Sequence, residues 1–430
     1  MRRKFLLFLL TISYLCSVSG QTGTEFWFAG PDISAEHANN STPIYLHITA
    51  TLATHVQLLR PAVSPVPFLE FDLGEQQTQS IRLDDPVGLG LDYFDIEVYA
   101  RNVGHALFKQ DKGIQIKAIG GEITAYVEYT GSGNSPPHNL NNNNTDIVAL
   151  KSNNALGTKF WVTTQRKYKN HGYSDDYSGF VIVATENGTI VNIDPKGNNL
   201  LYHGTTPFSV TLDKGQAIAI RAAGQAPAQH IAGVRVTTTN NKKIAITVFD
   251  DSMQITDGGG SWDLFADQLV PEELVGYEYI VMKGNIQDNN DATNPFDGEA
   301  IFITPTMDNT DIYINGALVA TNIPAGGYFE YVIKVHPTHV RATNPVYLNH
   351  ISGWQSPSVS PFVGRELGGA ILPTIDGCTG SHSVTLKKTP ATNFYYYINI
   401  MVRNDTAVGS PTRNQAIHHF TYSINNGPPM

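Results

Sequence analysis

A hexapeptide that returns constrains this chain more than any other feature. Gly23-Thr24-Glu25-Phe26-Trp27-Phe28 recurs as Gly157-Thr158-Lys159-Phe160-Trp161-Val162 and, more loosely, as Gly276-Tyr277-Glu278-Tyr279-Ile280-Val281, with starts 134 and 119 residues apart. Self-similarity at such a period marks a chain assembled from one structural unit used several times. Later landmarks follow each start in the same order. A pair of β-rich runs comes first: Ile44 to Thr51 with His55 to Leu59, Phe180 to Thr185 with Thr189 to Ile193, and Ala300 to Thr304 with Asp311 to Ile314. The second and third units join these runs through Glu186-Asn187-Gly188 and Met307-Asp308-Asn309, residues that accept the positive φ of a tight hairpin. A glycine-marked turn follows at Leu73-Gly74, Lys214-Gly215 and Ala325-Gly326, and each unit closes on two more strands, as at Gly233 to Val236 and Lys243 to Phe249.

Apolar residues alternate along these segments, as at Val234, Val236, Ile244, Ile246 and Val248, so one face of each strand is buried and the other wetted. Helical periodicity is nearly absent. Its best candidate is Trp262 to Val275, where a turn or two of helix is expected before Pro271 ends it. The fold class is therefore all-β: tandem repeats of antiparallel β-sandwich-like units, the alternative being a β-propeller with two blades per repeat. The expected organisation is a signal peptide at 1–20, β repeats at 21–130, 157–272 and 273–372, an Asn/Gly/Pro-rich linker at 131–156, and a further β unit beginning at 373–430.

The first twenty residues place Arg2, Arg3 and Lys4 ahead of an apolar run and close on Ser17, Ser19 and Gly20, the grammar of a cleaved export signal. No other window offers the ~20 apolar residues of a transmembrane helix. With Cys16 in the leader, Cys378 is left without an internal disulfide partner. Stability then rests on burial, and the lack of a disulfide framework points to a bacterial source. Beyond the three basic residues of the leader the chain carries 38 acidic against 25 basic side chains, which argues against nucleic acid as a partner. The expected location is secreted, either extracellular or at a bacterial cell surface.

The Gly-Thr-Glu-Phe-Trp-Phe motif, the run Asp263-Leu264-Phe265-Ala266-Asp267-Gln268-Leu269-Val270-Pro271 before Gly276-Tyr277-Glu278-Tyr279, and the Pro345-Val346 strand carry a resemblance. Across residues 23 to 372 the chain resembles the IgGFc-binding protein N-terminal domain family. That resemblance implies a secreted or cell-surface protein of the kind common in the Bacteroidetes. Its motifs are strand-and-turn signatures, so they carry fold more readily than ligand.

Catalytic spacings are absent from the sequence: there is no His-Glu-x-x-His, Gly-x-Ser-x-Gly or phosphate-binding Gly-x-x-x-x-Gly-Lys. His418-His419 lie next to each other on an apparent strand and so point to opposite faces. The loop from Tyr168 to Tyr177 is the best recognition material, with Tyr168, His171, Tyr173, Asp175 and Asp176 as candidate ligand-binding residues. Tyr395-Tyr396-Tyr397 is of similar character. The acidic groups Asp250-Asp251 with Asp257 and Asp263, and Asp288, Asp291, Asp297 and Glu299, are oxygen-rich enough to suggest Ca²⁺. Neither follows a calcium-loop register, and Asp and Asn also serve plain turns, so no catalytic residue, metal ligand or cofactor is assigned. Phe26-Trp27 and Phe160-Trp161 should each place one ring in the core and one outside; the outer ring suits a sugar face, while a structural anchor is the simpler account.

The function expected is a binding or adhesion module, not an enzyme, that recognises an extracellular protein or glycan through loops on a β scaffold. The alternatives are a carbohydrate-active enzyme and a structural stalk. If the repeat is real, Phe26, Phe160 and Tyr279 occupy one buried position, with Glu25, Lys159 and Glu278 on the wetted side. In chemical denaturation, Phe160→Ala should cost about 3–5 kcal/mol, while Glu25→Ala should leave the midpoint nearly unchanged.

Overall fold

The computed structural model describes residues 22–31, 44–83, 108–129, 146–170, 176–197, 201–254, 262–284, 299–355 and 365–376. Among them the regular structure is antiparallel β, with short 3-10 turns between strands. Among the described residues, no helix is long and apolar enough to cross a membrane.

The first unit contains β1 (Thr22–Gly23), β2 (Glu25–Phe28), β3 (Ile44–Ala50), β4 (Thr54–Leu59), β5 (Leu69–Leu73), β6 (Thr78–Arg82), β7 (Ile114–Ile119), β8 (Ile123–Tyr129) and β9 (Asp146–Ala149). They form two sheets, β1-β8-β3-β6 with β9 on β8, and β2-β7-β4-β5. Ile44, Leu46 and Ile48 of one sheet meet Phe26, Val56, Leu58 and Ile116 of the other in a single core.

The second unit contains β10 (Lys159–Trp161), β11 (Lys169–Asn170), β12 (Ser178–Ala184), β13 (Thr189–Asp194), β14 (Phe208–Leu212), β15 (Ala217–Arg221), β16 (Arg235–Thr238), β17 (Ile244–Gln254) and β18 (Trp262–Gln268). Its sheets are β10-β16-β13-β14 and β11-β17-β12-β15, with β18 on β17. The third unit contains β19 (Gly276–Val281), β20 (Ala300–Pro305), β21 (Thr310–Ile314), β22 (Ala317–Ile323), β23 (Phe329–Val332), β24 (Thr338–Gln355) and β25 (Arg365–Ile371). Here one seven-stranded sheet folds over itself. The first half of β24 pairs with β19 and β21 and its second half with β20 and β25, so Ile301 and Ile303 close on Tyr279, Ile312 and Val340.

The three aromatics expected at one position are all buried: Phe26 and Phe160 at 0% and Tyr279 at 1% exposure. Lys159 is exposed, and Glu25 and Glu278 are half-buried. Glu25 nevertheless does more than face water. Its Oε1 accepts the Trp27 indole N–H at 2.7 Å and the Gln115 amide at 2.6 Å, so Glu25→Ala removes the acceptor for two donors and is costlier than the strand pattern implies.

Three further sequence readings need correction. Trp262–Gln268 is a strand, not a helix, because it completes the sheet edge of β17; a 3-10 turn at Glu272–Leu274 follows it. Glu186-Asn187-Gly188 and Met307-Asp308-Asn309 do adopt the positive φ that the sequence indicates, at Gly188 and Asn309. They do not close hairpins. β12 and β13 belong to different sheets, and β20 and β21 to different parts of the folded sheet, so these turns carry the chain across the sandwich. The aromatic pairs place neither ring outside, since Trp27 is 1% and Trp161 5% exposed.

The Trp rings are covered because each unit leans its glycine turn on the unit before it. Lys214 lies over the Trp27 ring at 5.7 Å. At the next junction a Cβ on Gly326, whose φ is +70°, would fall 2.3 Å from the Trp161 ring, so only glycine fits. The glycine that opens each unit answers a second demand. A Cβ at Gly157 would lie 2.2 Å from Pro271 Cβ, and the same crowding sets Gly23 against Ser152 and Gly276 against Thr374. The chain leaving a unit crosses the residue that began it. That path is fixed by one recurring backbone bond: Leu150 N–H to Ala125 O, Leu269 N–H to Ile246 O and Leu372 N–H to Leu348 O, each 2.9 Å.

The departing strands β9, β18 and β25 meet, and carboxylates join them. Asp263 Oδ2 accepts the Leu367 N–H at 2.6 Å and Asp267 Oδ2 the Ile371 N–H at 2.7 Å, while Asp146 Oδ2 accepts the Ala266 N–H at 2.6 Å. Lys151 Nζ donates to Asp267 Oδ1 at 2.6 Å, and Gln268 spans from the Lys151 N–H to the Trp27 carbonyl. Desolvation pushes the Asp146 carboxyl up to about 8; N–H bonds from Ala266 and Ile147 oppose this and the nearby Asp267 charge adds to it. A carboxyl with a raised folded value binds its proton more tightly in the fold. The stability it contributes is full below the unfolded value and is lost as pH rises through about 8. Urea midpoints should therefore fall between pH 5 and pH 8.5, and Asp146→Asn should flatten that decline.

Candidate functional site

The loop singled out in the sequence leaves the second unit after β10, and the turn that launches it is built around Gln165. Gln165 Oε1 accepts the backbone N–H groups of Lys167 and Tyr168, both at 2.7 Å, and its amide donates to the Tyr168 carbonyl at 2.8 Å. The same amide reaches Asp250 Oδ2 at 2.6 Å. Asp250 lies on β17 beside a bulge between Asp250 and Met253, where Ser252 takes a φ of +54°. The bulge leaves two consecutive aspartates, Asp250 and Asp251, wholly buried.

Asp250 gathers what surrounds it. Oδ1 accepts Asn170 Nδ2 at 2.6 Å, while Oδ2 receives Gln165 and lies 3.3 Å from His230 Nδ1. Asn170 also donates to the Asp251 carbonyl at 2.5 Å. The two feet of the loop are tied to one residue: the Asn170 N–H bonds to the Gln225 carbonyl, and Gln225 Nε2 donates to the Asp176 carbonyl at 2.9 Å. Residues 171–175, which include the candidates His171, Tyr173 and Asp175, lie outside the described residues. The residues that flank them, Asn170 and Asp176, are joined through Gln225.

Tyr168 and Asp176 turn inward, at 1% and 0% exposure. They belong to the support of the loop and not to its outer surface. The outer surface starts at Tyr177, whose ring lies 4.1 Å from the Arg221 guanidinium; Arg221 in turn lies 5.0 Å from Tyr202. Tyr202 is 41% exposed. His203 meets it edge-on at 5.9 Å and approaches Phe208 at 5.8 Å. Arg221 is buried at 7% exposure, so it braces these rings from within, and Tyr202 is the exposed member of an aromatic platform beside the loop. No spacing in the sequence announces it, because Tyr177, Arg221 and Tyr202 come from three segments, joined where β12 pairs with β15 and where Leu201 bridges to Ala222.

On its other side the launching turn is clamped to the third unit. The Arg166 N–H bonds to the Tyr328 hydroxyl at 3.0 Å, its guanidinium lies over that ring at 5.1 Å, and Lys167 pairs with Glu330 at 3.1 Å. Burial lowers the Arg166 value and raises that of Tyr328, as expected where charge and hydroxyl leave water together.

The second acidic group is placed only in part. Asp288, Asp291 and Asp297 lie outside the described residues, as do Asp257, Tyr395-Tyr396-Tyr397 and His418-His419. Glu299 is buried and its Oε2 accepts the Gly284 N–H at 2.8 Å and faces His350 Nε2 at 3.1 Å. Asp263 serves the strand junction described above. Among the described residues no three His, Cys, Asp or Glu side chains converge as metal ligands would.

A sequence model of the family described as IgGFc binding protein matches residues 146–423, which takes in the loop, its base and the platform. No curated protein matches the chain. Among solved structures, an anti-sigma factor domain-containing protein from Clostridium clariflavum aligns at 9% identity over 81% of each chain, with a TM-score of 0.12. A structure concerned with host cell surface retention of a bacterial ice-binding adhesin aligns at 10% identity over 81% of this chain and 98% of that one, with a TM-score of 0.11. Superpositions at these scores carry no argument about fold.

Replacing Asp250 by alanine leaves the Gln165 and Asn170 donors without their acceptor in a sealed site. Thermal and urea unfolding should show a loss of about 3–5 kcal/mol, and proteolysis should then cut first within 166–177.

Proposed function

We propose that this chain, a member of the IgGFc-binding protein family, is an extracellular protein-binding module whose contact surface is the loop between Asn170 and Asp176 together with the neighbouring Tyr177 and Tyr202. The leader at 1–20 directs it out of the cell, and the units expected at 21–130, 157–272 and 273–372 form the scaffold. The observation that carries this reading is the base of the loop. Gln165, Asn170, Gln225 and Asp250 fix both of its feet, and anchored ends lessen the entropy that a connecting segment loses when it meets a partner. Exposed tyrosines are among the side chains that dominate protein interfaces, and Tyr202 is one that the buried Arg221 braces.

Antibody Fc is the ligand that the family's description prints, so it is the first partner to test, with mucin glycoprotein and a polysaccharide array alongside. The purified chain should bind at least one of these saturably. Tyr202→Ala removes an exposed ring and Tyr173→Ala a side chain of the loop. Each should weaken binding about 10-fold or more with little change in melting temperature. Absence of saturable binding to Fc, mucin and glycans alike would overturn this reading.

A further inference from the structure

The outer face of the first unit differs from the same face of the other two. Three recurring bonds align the units: Gln76 N–H to Ala50 O, Gly215 N–H to Ala184 O and Gly326 N–H to Pro305 O. His47 therefore corresponds to Val181 and Phe302. Their cross-strand partners are Ser80, Ala219 and Glu330. On the other side, Tyr45, Gly179 and Ala300 face Glu128, Phe249 and Ile351. In the second unit these positions are Val181, Ala219 and Phe249, and they join the core shared with the first unit. In the first unit the same three positions are His47, Ser80 and Glu128, and packing alone does not call for a serine, a histidine and a carboxylate there.

The three side chains are joined in a line. Ser80 Oγ lies 2.9 Å from His47 Nδ1, and His47 Nε2 lies 2.6 Å from Glu128 Oε2. His47 and Glu128 are 3% and 5% exposed, whereas Ser80 is half-buried. The strand pairing produces this geometry. The Leu83 N–H bonds to Ile44 O, so by alternation His47 and Ser80 face each other at a non-hydrogen-bonded pair, where Cα atoms come within about 4.5 Å. Tyr126 packs against the imidazole at 5.0 Å and helps to hold its plane. Two residues along the same face, Thr49 and Thr78 join their hydroxyls at 2.8 Å, which puts O–H groups beside the serine.

We infer that Ser80 is an activated nucleophile for acyl transfer from carboxylic esters, with His47 as its base and Glu128 as the positioning residue. Nε2–H donates to the carboxylate, which fixes the tautomer and leaves the Nδ1 lone pair for the serine proton. In the step, the Ser80 O–H proton passes to Nδ1 as Oγ bonds to the ester carbon. The bond from that carbon to the alkoxy oxygen then breaks, and the alcohol leaves with the proton from Nδ1. Water repeats the sequence to release the acid and restore Ser80. This activity is independent of the loop and platform of the second unit.

The full chain, incubated with a fluorophosphonate probe and digested, should carry the adduct on the peptide containing Ser80. Ser80→Ala should abolish it. Glu128→Gln keeps the volume and the hydrogen-bond acceptor but removes the charge, and should slow labelling about 10-fold or more while the far-ultraviolet circular dichroism stays unchanged. A folded chain with no adduct at Ser80, under conditions that label a serine hydrolase control, overturns the inference and leaves the line as a packing network. Labelling that persists in Ser80→Ala, or that Glu128→Gln does not slow, overturns it as well.

Discussion

Everything in this structure depends on an acceptor being found for backbone N–H groups where sheets end against one another. A strand edge without partners draws in whatever chain lies nearby, and here β9, β18 and β25 bring three such edges together. Strand pairing alone does not resolve the meeting; side-chain carboxylates do. Asp146, Asp263 and Asp267 stand where a neighbouring strand's carbonyls would stand, and Lys151 balances one of the charges. The order of the units, the cover over Trp27 and Trp161 and the position of the loop all follow from edges that close side to side.

The sequence carries the local half of this plan in plain view. Glycine, aromatic and strand landmarks recur in order, and the burial of Phe26, Phe160 and Tyr279 follows from alternation within single strands. What it hides depends on partners far along the chain. Trp262 to Val275 has apolar residues at helical spacing, yet Trp262–Gln268 is extended because β17 offers it an edge. Trp27 and Trp161 alternate outward correctly, but outward from one unit means inward between two. The turns at Asn187 and Asn309 have hairpin chemistry and cross between sheets instead, since turn residues specify a bend and not the strand that follows it.

The candidate site shows the same division. Its loop is legible as tyrosine, histidine and aspartate between two strands. The base that anchors it is not, because Gln165 and Asp250 are 85 residues apart; nor is the Ser80–His47–Glu128 line, whose ends come from different strands on either side of β3. Of the acidic residues that composition offers to calcium, Asp263 and Glu299 accept backbone N–H groups and Asp250 accepts the side-chain amides of Gln165 and Asn170, partners that only the folded chain brings to these buried carboxylates.

The glycine turn that each unit lays on its predecessor gives the chain a direction in time. A chain made from its N-terminus presents its first sandwich without the Lys214 cover over Trp27 until the second unit has been made. Trp161 then waits likewise for Gly326. During each interval the growing chain has one sticky spot that the finished protein lacks, and partly built chains are prone to wrong associations at such places.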